Sequence, residues 1–204
     1  MNKYLPPEPP RLPLPTDSTR VLGAYWSPSE DFINDLANAL RGKKVLEIFA
    51  GNGYLAGLLA AKGIDIVATS LLTSMDAHER GLYYPVQDLD AVAAVNVLGA
   101  ERDVLLMCWP TVTMAALRAC QAWGPDKDIA YIGEFTDYSR NHLGGCATDE
   151  YFEALRVDST FSSYPSRNDL EKAIIGRIIA PTPSLRLPRS EADNTLRTAK
   201  RPFA

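Results

Sequence analysis

The sequence predicts a doubly wound α/β domain, in which a mostly parallel β-sheet lies between two layers of helices. Short, almost wholly apolar runs alternate along the chain with segments whose apolar residues recur at helical spacing. Such runs are typical of parallel strands, because these strands are covered on both faces. A glycine-rich turn joins the first run to the next helix, and 204 residues with 46% hydrophobic content are enough for one well-filled domain.

Local patterns predict the individual elements. The first helix is expected to begin after Ser27, because this serine, Pro28 and Glu30 form a good helix start, and to end at Gly42. Strands are predicted at residues 44–49, 64–69, 82–86, 103–108, 129–133, 159–162 and 173–179. The other helices are predicted at residues 54–62, 88–98, 114–123 and 149–156. This alternation favours parallel pairing, with the last two strands forming a hairpin.

The two ends of the chain are predicted to lie outside this domain. Residues 1–19 contain six prolines, which favour an extended arm. The arm either lies on the domain surface or binds a proline-recognising protein, and the scarcity of basic residues besides Arg11 favours the first interpretation. The domain itself is expected to span residues 20–180. Residues 181–204 are predicted to be an irregular basic tail, more typical of a solvated extension than of a contact with RNA or acidic protein.

Composition narrows the possible partners and the compartment. A formal net charge of -4 provides no broad attraction to nucleic acid or anionic membrane. No secretory signal and no membrane-spanning stretch is visible, so a cytoplasmic protein without membrane contact is expected. Cys108, Cys120 and Cys146 lack metal-ligand spacing, so they are predicted to be reduced packing residues and no metal site is expected.

The turn after the first strand predicts a nucleotide or nucleoside site. Gly51 and Gly53 permit positive φ and let a ligand lie against the backbone, and a helix begins directly after them. The dinucleotide fingerprint is matched only with Ala56 in the place of its third glycine. Glu47, four residues before Gly51, argues against a dinucleotide, because a carboxylate there repels a pyrophosphate.

The pattern Glu47-x-x-Ala50-Gly51-x-Gly53 resembles the first motif of class I S-adenosylmethionine-dependent methyltransferases. In that family the acidic residue and the glycine turn hold the methionine part of the cofactor. The resemblance covers roughly residues 27–179. It implies a Rossmann-like, seven-stranded sheet whose last strand is antiparallel, S-adenosylmethionine as cofactor, and methyl transfer to a nucleophile.

The resemblance assigns further cofactor contacts along the strand ends. Ser70 stands where the family usually has an acidic residue that binds the ribose hydroxyls, and a serine makes a weaker contact. A compensating role for Asp76 is one explanation of this departure. Asp90 and Ala91 resemble the family's third motif, which contacts the adenine amino group. Capping of the next helix, by Asp88 with Asp90 in the first turn, is the alternative.

The ends of the fourth and fifth strands are predicted to face the acceptor. Cys108-Trp109-Pro110 occupies the place of Asn/Asp-Pro-Pro-Tyr in methyltransferases that act on amino groups, with a thiol instead of the polar acceptor. Trp109 is predicted to form a flat wall against the substrate, and Cys108 is not expected to act as a nucleophile because no histidine is paired with it. Glu134, directly after the fifth strand, is predicted to bind the substrate or remove its proton, with a solvated carboxylate as the alternative.

Other chemistry-bearing side chains receive weaker predictions. His78 and His142 lie in loop-like stretches and are expected to be exposed rather than catalytic. Tyr25 and Trp26, just before the first helix, are expected either to close over the cofactor or to pack against the core.

Three functions therefore stay open at the level of the sequence. The first is a methyltransferase whose unknown acceptor is a small molecule or a protein rather than nucleic acid. The second is a non-catalytic module that keeps the pocket or the fold and acts through protein contacts, including the proline-rich arm. The third, a nicotinamide-dependent reductase, is disfavoured by Glu47 and by the lack of an acid at Ser70.

Overall fold

The computed structural model describes residues 11–14, 26–72, 78–125 and 127–179. Its strands are β1 (Lys44–Ile48), β2 (Asp65–Ser70), β3 (Val86–Asp88), β4 (Val104–Cys108), β5 (Asp128–Glu134), β6 (Leu155–Thr160) and β7 (Glu171–Ile178). Its α-helices are α1 (Glu30–Leu40), α2 (Tyr54–Ala61), α3 (Ala91–Leu98), α4 (Ala115–Trp123) and α5 (Asp149–Ala154).

One seven-stranded sheet runs through the domain in the order β3-β2-β1-β4-β5-β7-β6. The first five strands pair in parallel with their neighbours. The last strand, β7, lies antiparallel between β5 and β6. This confirms the predicted mostly parallel sheet with a final antiparallel strand, and the hairpin pairing of the last two strands.

Helices cover both faces of the sheet and enclose two hydrophobic cores. α1 and α2 pack on one face, where Phe32, Leu36 and Leu59 are fully buried. α3, α4 and α5 pack on the other face, where Ala94 and Tyr151 are fully buried. The buried residues of β1 and β4 divide between the two clusters in alternation, as expected when successive side chains of a strand point to opposite faces. The predicted three-layer architecture is therefore confirmed.

The N-cap residues of two helices lie two positions later than the sequence suggested. Ser29, not Ser27, caps α1, since its hydroxyl oxygen accepts a hydrogen bond from the backbone N–H of Phe32 at 3.2 Å. Asp90, not Asp88, caps α3 through two backbone N–H groups. Asp88 instead ends β3, and its carboxylate accepts from the backbone N–H of Leu72. Two residues of the same type stand within two positions in both cases, so the helix axis set by tertiary packing decides which one caps.

Two strands also differ from the prediction. The third strand begins at Val86, four residues later than expected, because the backbone of Leu82 bonds instead with the segment around Arg11. The sixth strand begins at Leu155 and follows α5 directly. It is an edge strand that is mostly exposed and irregular between Val157 and Ser159, so it lacks the apolar run that marks the buried strands.

The direction in which the chain leaves β1 and β4 creates a crevice between these strands. After β1 the chain enters α2 on one face of the sheet, whereas after β4 it enters α4 on the opposite face. The two connections diverge at the carboxyl ends of the neighbouring strands. In open α/β sheets this topological switch point is where ligands bind.

Only a short part of the N-terminal arm belongs to the described residues. Leu12 donates its backbone N–H to the carbonyl of Leu82 at 2.9 Å, and Leu14 lies against Gly57 of α2. This part of the arm therefore packs on the domain. The rest of the arm, the tail from residue 181, Tyr25 and Asp76 lie outside the described residues. Among the helices that are described, none has the length and apolar character needed to cross a bilayer.

Replacement of Leu36 tests the core between α1 and the sheet. Leu36→Ala is expected to lower the free energy of unfolding by about 2–5 kcal/mol, because the side chain is fully buried and its removal leaves a cavity. Asp35→Ala, at the neighbouring exposed position of the same helix, is the matched control and should change stability by about 0.5 kcal/mol or less. Urea denaturation of both variants measures the difference, and equal stabilities would contradict this packing.

Candidate functional site

A cavity of about 500 Å³ opens in the crevice at the carboxyl ends of β1, β2 and β4. All of the predicted cofactor-binding residues except Gly53 border it, and so does Trp109. They are Glu47, Ala50, Gly51, Ser70, Asp90, Ala91, Cys108 and Trp109. Residues far apart in the sequence thus meet at one site.

The two glycines of the turn have different tasks. Gly51 borders the cavity with φ of 52°, in the left-handed region that favours glycine. Gly53, with φ of 73°, is the N-cap residue of α2. A Cβ atom on Gly53 would lie 3.0 Å from side-chain atoms of Tyr84 and Val86. Gly53 therefore allows close packing beneath the turn, and Gly51 is the glycine that faces the cavity.

Hydrogen bonds from the second strand and from a distant histidine hold this turn in place. Ala50 donates its backbone N–H to the carbonyl of Thr69, whose hydroxyl in turn donates to the carbonyl of Glu47. Nε2 of His78 lies 3.0 Å from the carbonyl oxygen of Gly51, so this nitrogen carries the proton. The expectation that His78 is exposed is wrong, since only 3% of it is accessible. His142, as expected, is exposed.

Glu47 is a buried carboxyl group on the cavity wall. Its exposed fraction is 1%, and its Oε2 atom has no hydrogen-bond partner among the described residues. Burial raises the pKa of Glu47 from 4.5 to about 8, and a hydrogen bond with the backbone of Ala56 opposes this shift in part. An unpaired carboxyl oxygen in such a place is well suited to a cationic group of a ligand.

The charges around the cavity are all acidic. Among the described residues that border it, Glu47 and Asp90 are ionisable acids, and none is a lysine, arginine or histidine. A phosphate group would therefore find no cationic side chain in this wall, whereas a cation would find two carboxyl groups. In addition, the described part of the chain holds no group of three or more His, Cys, Asp or Glu side chains placed to bind a metal ion.

Ser70 and Asp90 lie on the side of the cavity formed by β2 and α3. Ser70 ends β2 and is 7% exposed, so its hydroxyl is at the wall but not in bulk water. Asp90 uses Oδ1 to accept from the backbone N–H groups of Val92 and Ala93. The capping role predicted for an acidic residue here is thus present, and Oδ2 takes no part in it.

An aromatic residue in a left-handed backbone conformation follows each of the two central strands. Phe49 after β1 has φ of 60°, and Trp109 after β4 has φ of 52°. Bulky residues adopt this conformation rarely, at a cost of about 1–3 kcal/mol, and mostly at functional sites. The hydrogen bond from the backbone N–H of Trp109 to the carbonyl of Ile132, at 2.7 Å, holds this conformation. Both side chains border the cavity.

Cys108 is a protonated thiol at the floor of the site. Burial raises the pKa of Cys108 well above its usual value, and the nearby Glu47 and Cys146 raise it further. The indole of Trp26 has a smaller opposite effect. This supports the expectation that Cys108 is not a nucleophile. Trp26 packs against Phe32, which is one of the two expected alternatives, and it also borders the cavity.

Glu134 is not brought into the cavity wall. Its Oε2 atom accepts a hydrogen bond from the backbone N–H of Gly145 at 2.7 Å, and Gly145 and Cys146 are the residues that border the cavity. A Cβ atom on Gly145 would lie 2.6 Å from the same carboxylate oxygen. Glu134 therefore holds the Gly145–Cys146 segment against the site, as a positioning residue.

Several bordering residues carried no usable signal in the sequence. Phe49 continued the apolar run of the first strand, and nothing marked its left-handed conformation. Thr111, Thr113 and Gly145 lie in loops after β4 and β5. Loops at this edge were expected to contact ligands, but only the folded chain shows which of their residues reach the cavity.

This chain resembles known proteins in structure but not detectably in sequence. No model of a known protein family and no curated protein sequence matches this chain. Solved structures do resemble it. MtNAS in complex with MTA and tNA is 15% identical, with a TM-score of 0.47; the match covers 74% of this chain and 58% of MtNAS, so this chain spans less than two thirds of that protein.

Two methyltransferases show a similar degree of likeness. Magnesium protoporphyrin IX methyltransferase from Synechocystis PCC 6803 is 12% identical with a TM-score of 0.48, and the match covers 73% of this chain and 79% of that one. The 1,6-didemethyltoxoflavin-N1-methyltransferase from Burkholderia thailandensis is 15% identical with a TM-score of 0.47, and the match covers 74% of this chain and 80% of that one. These TM-scores lie below 0.5, so the likeness carries no conclusion about function.

The buried carboxyl group of Glu47 predicts a pH dependence of stability. Its pKa rises on folding from 4.5 to about 8, so the folded state binds more protons between these values. The contribution of Glu47 to the free energy of unfolding is complete below pH 4.5 and is lost as the pH rises through about 8. Glu47→Gln is expected to remove this loss.

Urea denaturation at several pH values between 5 and 9 measures the effect. Glu101→Gln, at an exposed position away from the cavity, is the control and should keep the wild-type pH profile. A Glu47→Gln profile that still follows the wild type would contradict a buried, ionisable Glu47.

Proposed function

We propose that this chain binds S-adenosylmethionine in the cavity and transfers its methyl group to an acceptor. The observation that carries the proposal is the unpaired, buried carboxyl of Glu47 beside the Gly51 turn, in a wall without described cationic side chains. S-adenosylmethionine has an ammonium and a sulfonium group against one carboxylate. Its net positive charge therefore matches an acidic, mostly apolar cavity better than a dinucleotide does.

The cavity offers a contact for each part of this cofactor. Glu47 would pair with the ammonium group, and the bare backbone of Gly51 would allow close approach of the methionine part. The Ser70 hydroxyl would bind the ribose with one hydrogen bond in place of the usual carboxylate pair. Oδ2 of Asp90, next to Ala91, would accept from the adenine amino group while Oδ1 caps α3.

When bound, S-adenosylmethionine supplies a methyl group activated for attack by a nucleophile. The chain's own contribution is to orient the donor and acceptor in line and to keep water out. Trp109 and the Gly145–Cys146 segment, held by Glu134, form the wall on the acceptor side.

A second candidate function is a non-catalytic module that binds S-adenosylmethionine. Two observations favour it: Ser70 replaces an acidic ribose ligand, and Cys108 replaces a polar residue at the place where amino-group methyltransferases contact the target nitrogen. Incubation of the protein with methyl-labelled S-adenosylmethionine and a fractionated extract discriminates the two. Transfer of label supports the enzyme, whereas binding without transfer to any fraction supports the module.

Calorimetric titration tests the cofactor directly. S-adenosylmethionine and its demethylated product are expected to bind in the micromolar range, and NAD is not expected to bind. Glu47→Gln should weaken binding of S-adenosylmethionine by about ten- to a hundredfold, because the ammonium loses a charged hydrogen-bond partner. Glu101→Gln is the matched control and should bind like the wild type. Absence of binding for all three ligands would overturn the proposal.

Gly51→Val is expected to abolish binding, because a branched side chain enters the cavity at a position with positive φ. Gly42→Val is its matched control, since Gly42 has φ of 75° with open space around its Cβ position and lies away from the cavity. An equal loss of binding in both variants would show that backbone strain, and not occupation of the cavity, causes the loss. Wild-type binding by Gly51→Val would contradict the contact with Gly51.

Cofactor binding is also expected to release a proton. Burial raises the pKa of Glu47 to about 8, so the free protein holds this proton at neutral pH, and pairing with an ammonium favours the ionised form. The affinity should therefore increase with pH up to about 8. Titrations at pH 7 in buffers of different ionisation enthalpy measure the release, which Glu47→Gln should abolish.

A further inference from the structure

The cavity has two chemically different halves. Glu47 and Asp90 both lie in the half formed by β1, α3 and the glycine turn, which we call the donor half. The residues that follow β4 and β5 form the other, which we call the acceptor half. Its described members are Trp109, Pro110, Thr111, Thr113, Gly145 and Cys146, and none of these side chains is charged at neutral pH. A charged acceptor would therefore lose its hydration without finding a partner there.

Trp109 has the largest side chain of the acceptor half, and contacts on several sides hold it in place. Its backbone N–H is bonded to Ile132 of β5, and the guanidinium carbon of Arg167 lies 5.2 Å from the centre of its ring. Arg167 does not border the cavity, so its contact with the indole leaves the cavity side of the ring free for a ligand.

Arg167 is itself anchored by a buried carboxylate. Glu171, at the start of β7, is 3% exposed and accepts from Nε of Arg167 at 2.8 Å and from its backbone N–H at 3.1 Å. The orientation of the Trp109 indole is thus supported by two strands and by an ion pair whose carboxylate is buried. A ring fixed before a ligand arrives loses little conformational entropy on binding.

Exposed apolar side chains lie on the cavity wall and in the loop beside it. Leu71, which borders the cavity, is 51% exposed. Val112 and Met114 alternate with bordering residues in the loop after β4 and are 59% and 36% exposed. Single exposed apolar side chains are common, but Leu71 lies on the wall itself and adds to the apolar surface that an entering molecule meets.

We infer that the methyl acceptor is a small, flat, uncharged ring compound that lies against the indole of Trp109. The inference rests on the proposed function, because the donor half must hold S-adenosylmethionine for the other half to receive an acceptor. A fixed indole suits a flat ring through stacking, and the uncharged wall excludes the phosphates of nucleic acid.

Binding of model rings to protein saturated with S-adenosylhomocysteine tests the inference, because this product leaves only the acceptor half free. 2-Naphthol is a flat, neutral ring pair, and decahydro-2-naphthol has the same skeleton without flat rings. 2-Naphthoate is flat but charged, and a short oligothymidylate represents nucleic acid. 2-Naphthol is expected to bind about tenfold more tightly than the decahydro compound, as measured by ligand-observed nuclear magnetic resonance. The two charged probes should bind more weakly still.

Variants of Trp109 connect the preference to the indole. Trp109→Leu keeps an apolar side chain and should reduce the tenfold preference to about twofold or less, whereas Trp109→Phe should restore most of it. Thermal unfolding of both variants identifies any loss of fold. Equal binding of the flat and saturated compounds by the wild type, or a preference for oligothymidylate, would overturn the inference.

The two proposals fail in different ways. If S-adenosylhomocysteine binds but 2-naphthol does not, the ring site is wrong and the cofactor site stands. If neither S-adenosylmethionine nor its product binds, the proposed function is wrong, and the acceptor assignment falls with it even where free protein binds 2-naphthol through Trp109.

Discussion

The parallel pairing of β1 with β2 on one side and β4 on the other is the constraint on which the rest of the structure depends. Because β1 and β4 run in the same direction, both strands end at the same edge of the sheet. The helix that follows each strand packs on a face of the sheet. α2 after β1 and α4 after β4 lie on opposite faces. The cavity is the space that these diverging connections leave. Its two halves follow from this geometry, because one lies at the end of β1 and the other is formed by the residues after β4 and β5.

The site contains several energetically unfavourable features. Glu47 is a carboxyl group at the centre of a sheet with an oxygen that has no described partner, and burial raises its pKa to about 8. Phe49 and Trp109 adopt backbone conformations that bulky residues rarely take. Natural proteins tolerate such departures mainly where function requires them, and the well-packed cores on both faces compensate for them here. Glu47, Phe49 and Trp109 all border the same cavity, which supports its proposed role in binding.

The two hydrogen-bonded supports of the cavity lie behind its wall. His78 bonds to the carbonyl of Gly51, and Glu134 bonds to the N–H of Gly145. Neither side chain borders the cavity, yet each determines where a bordering backbone segment lies. Residues of this kind preorganise a binding site, because they fix the wall before a ligand arrives. Sequence position alone could not distinguish such a support from a group that touches the ligand: Glu134 was expected in contact with substrate, and His78 was expected in solvent.

The sequence by itself determined the elements, the sheet class and most of the donor half. Apolar runs and glycine turns depend on local chemistry, so the buried strands and the Gly51 turn were recognisable without coordinates. The Asp90-Ala91 pair was singled out by its resemblance to a methyltransferase motif. The tertiary structure decided which of two nearby residues caps a helix, that Gly53 packs against Tyr84 while Gly51 borders the cavity, and how β6 pairs as an exposed edge strand. It also decided that Arg167 and Glu171 support Trp109. These features join residues far apart in the chain, and no local pattern encodes a contact that exists only after the sheet has formed.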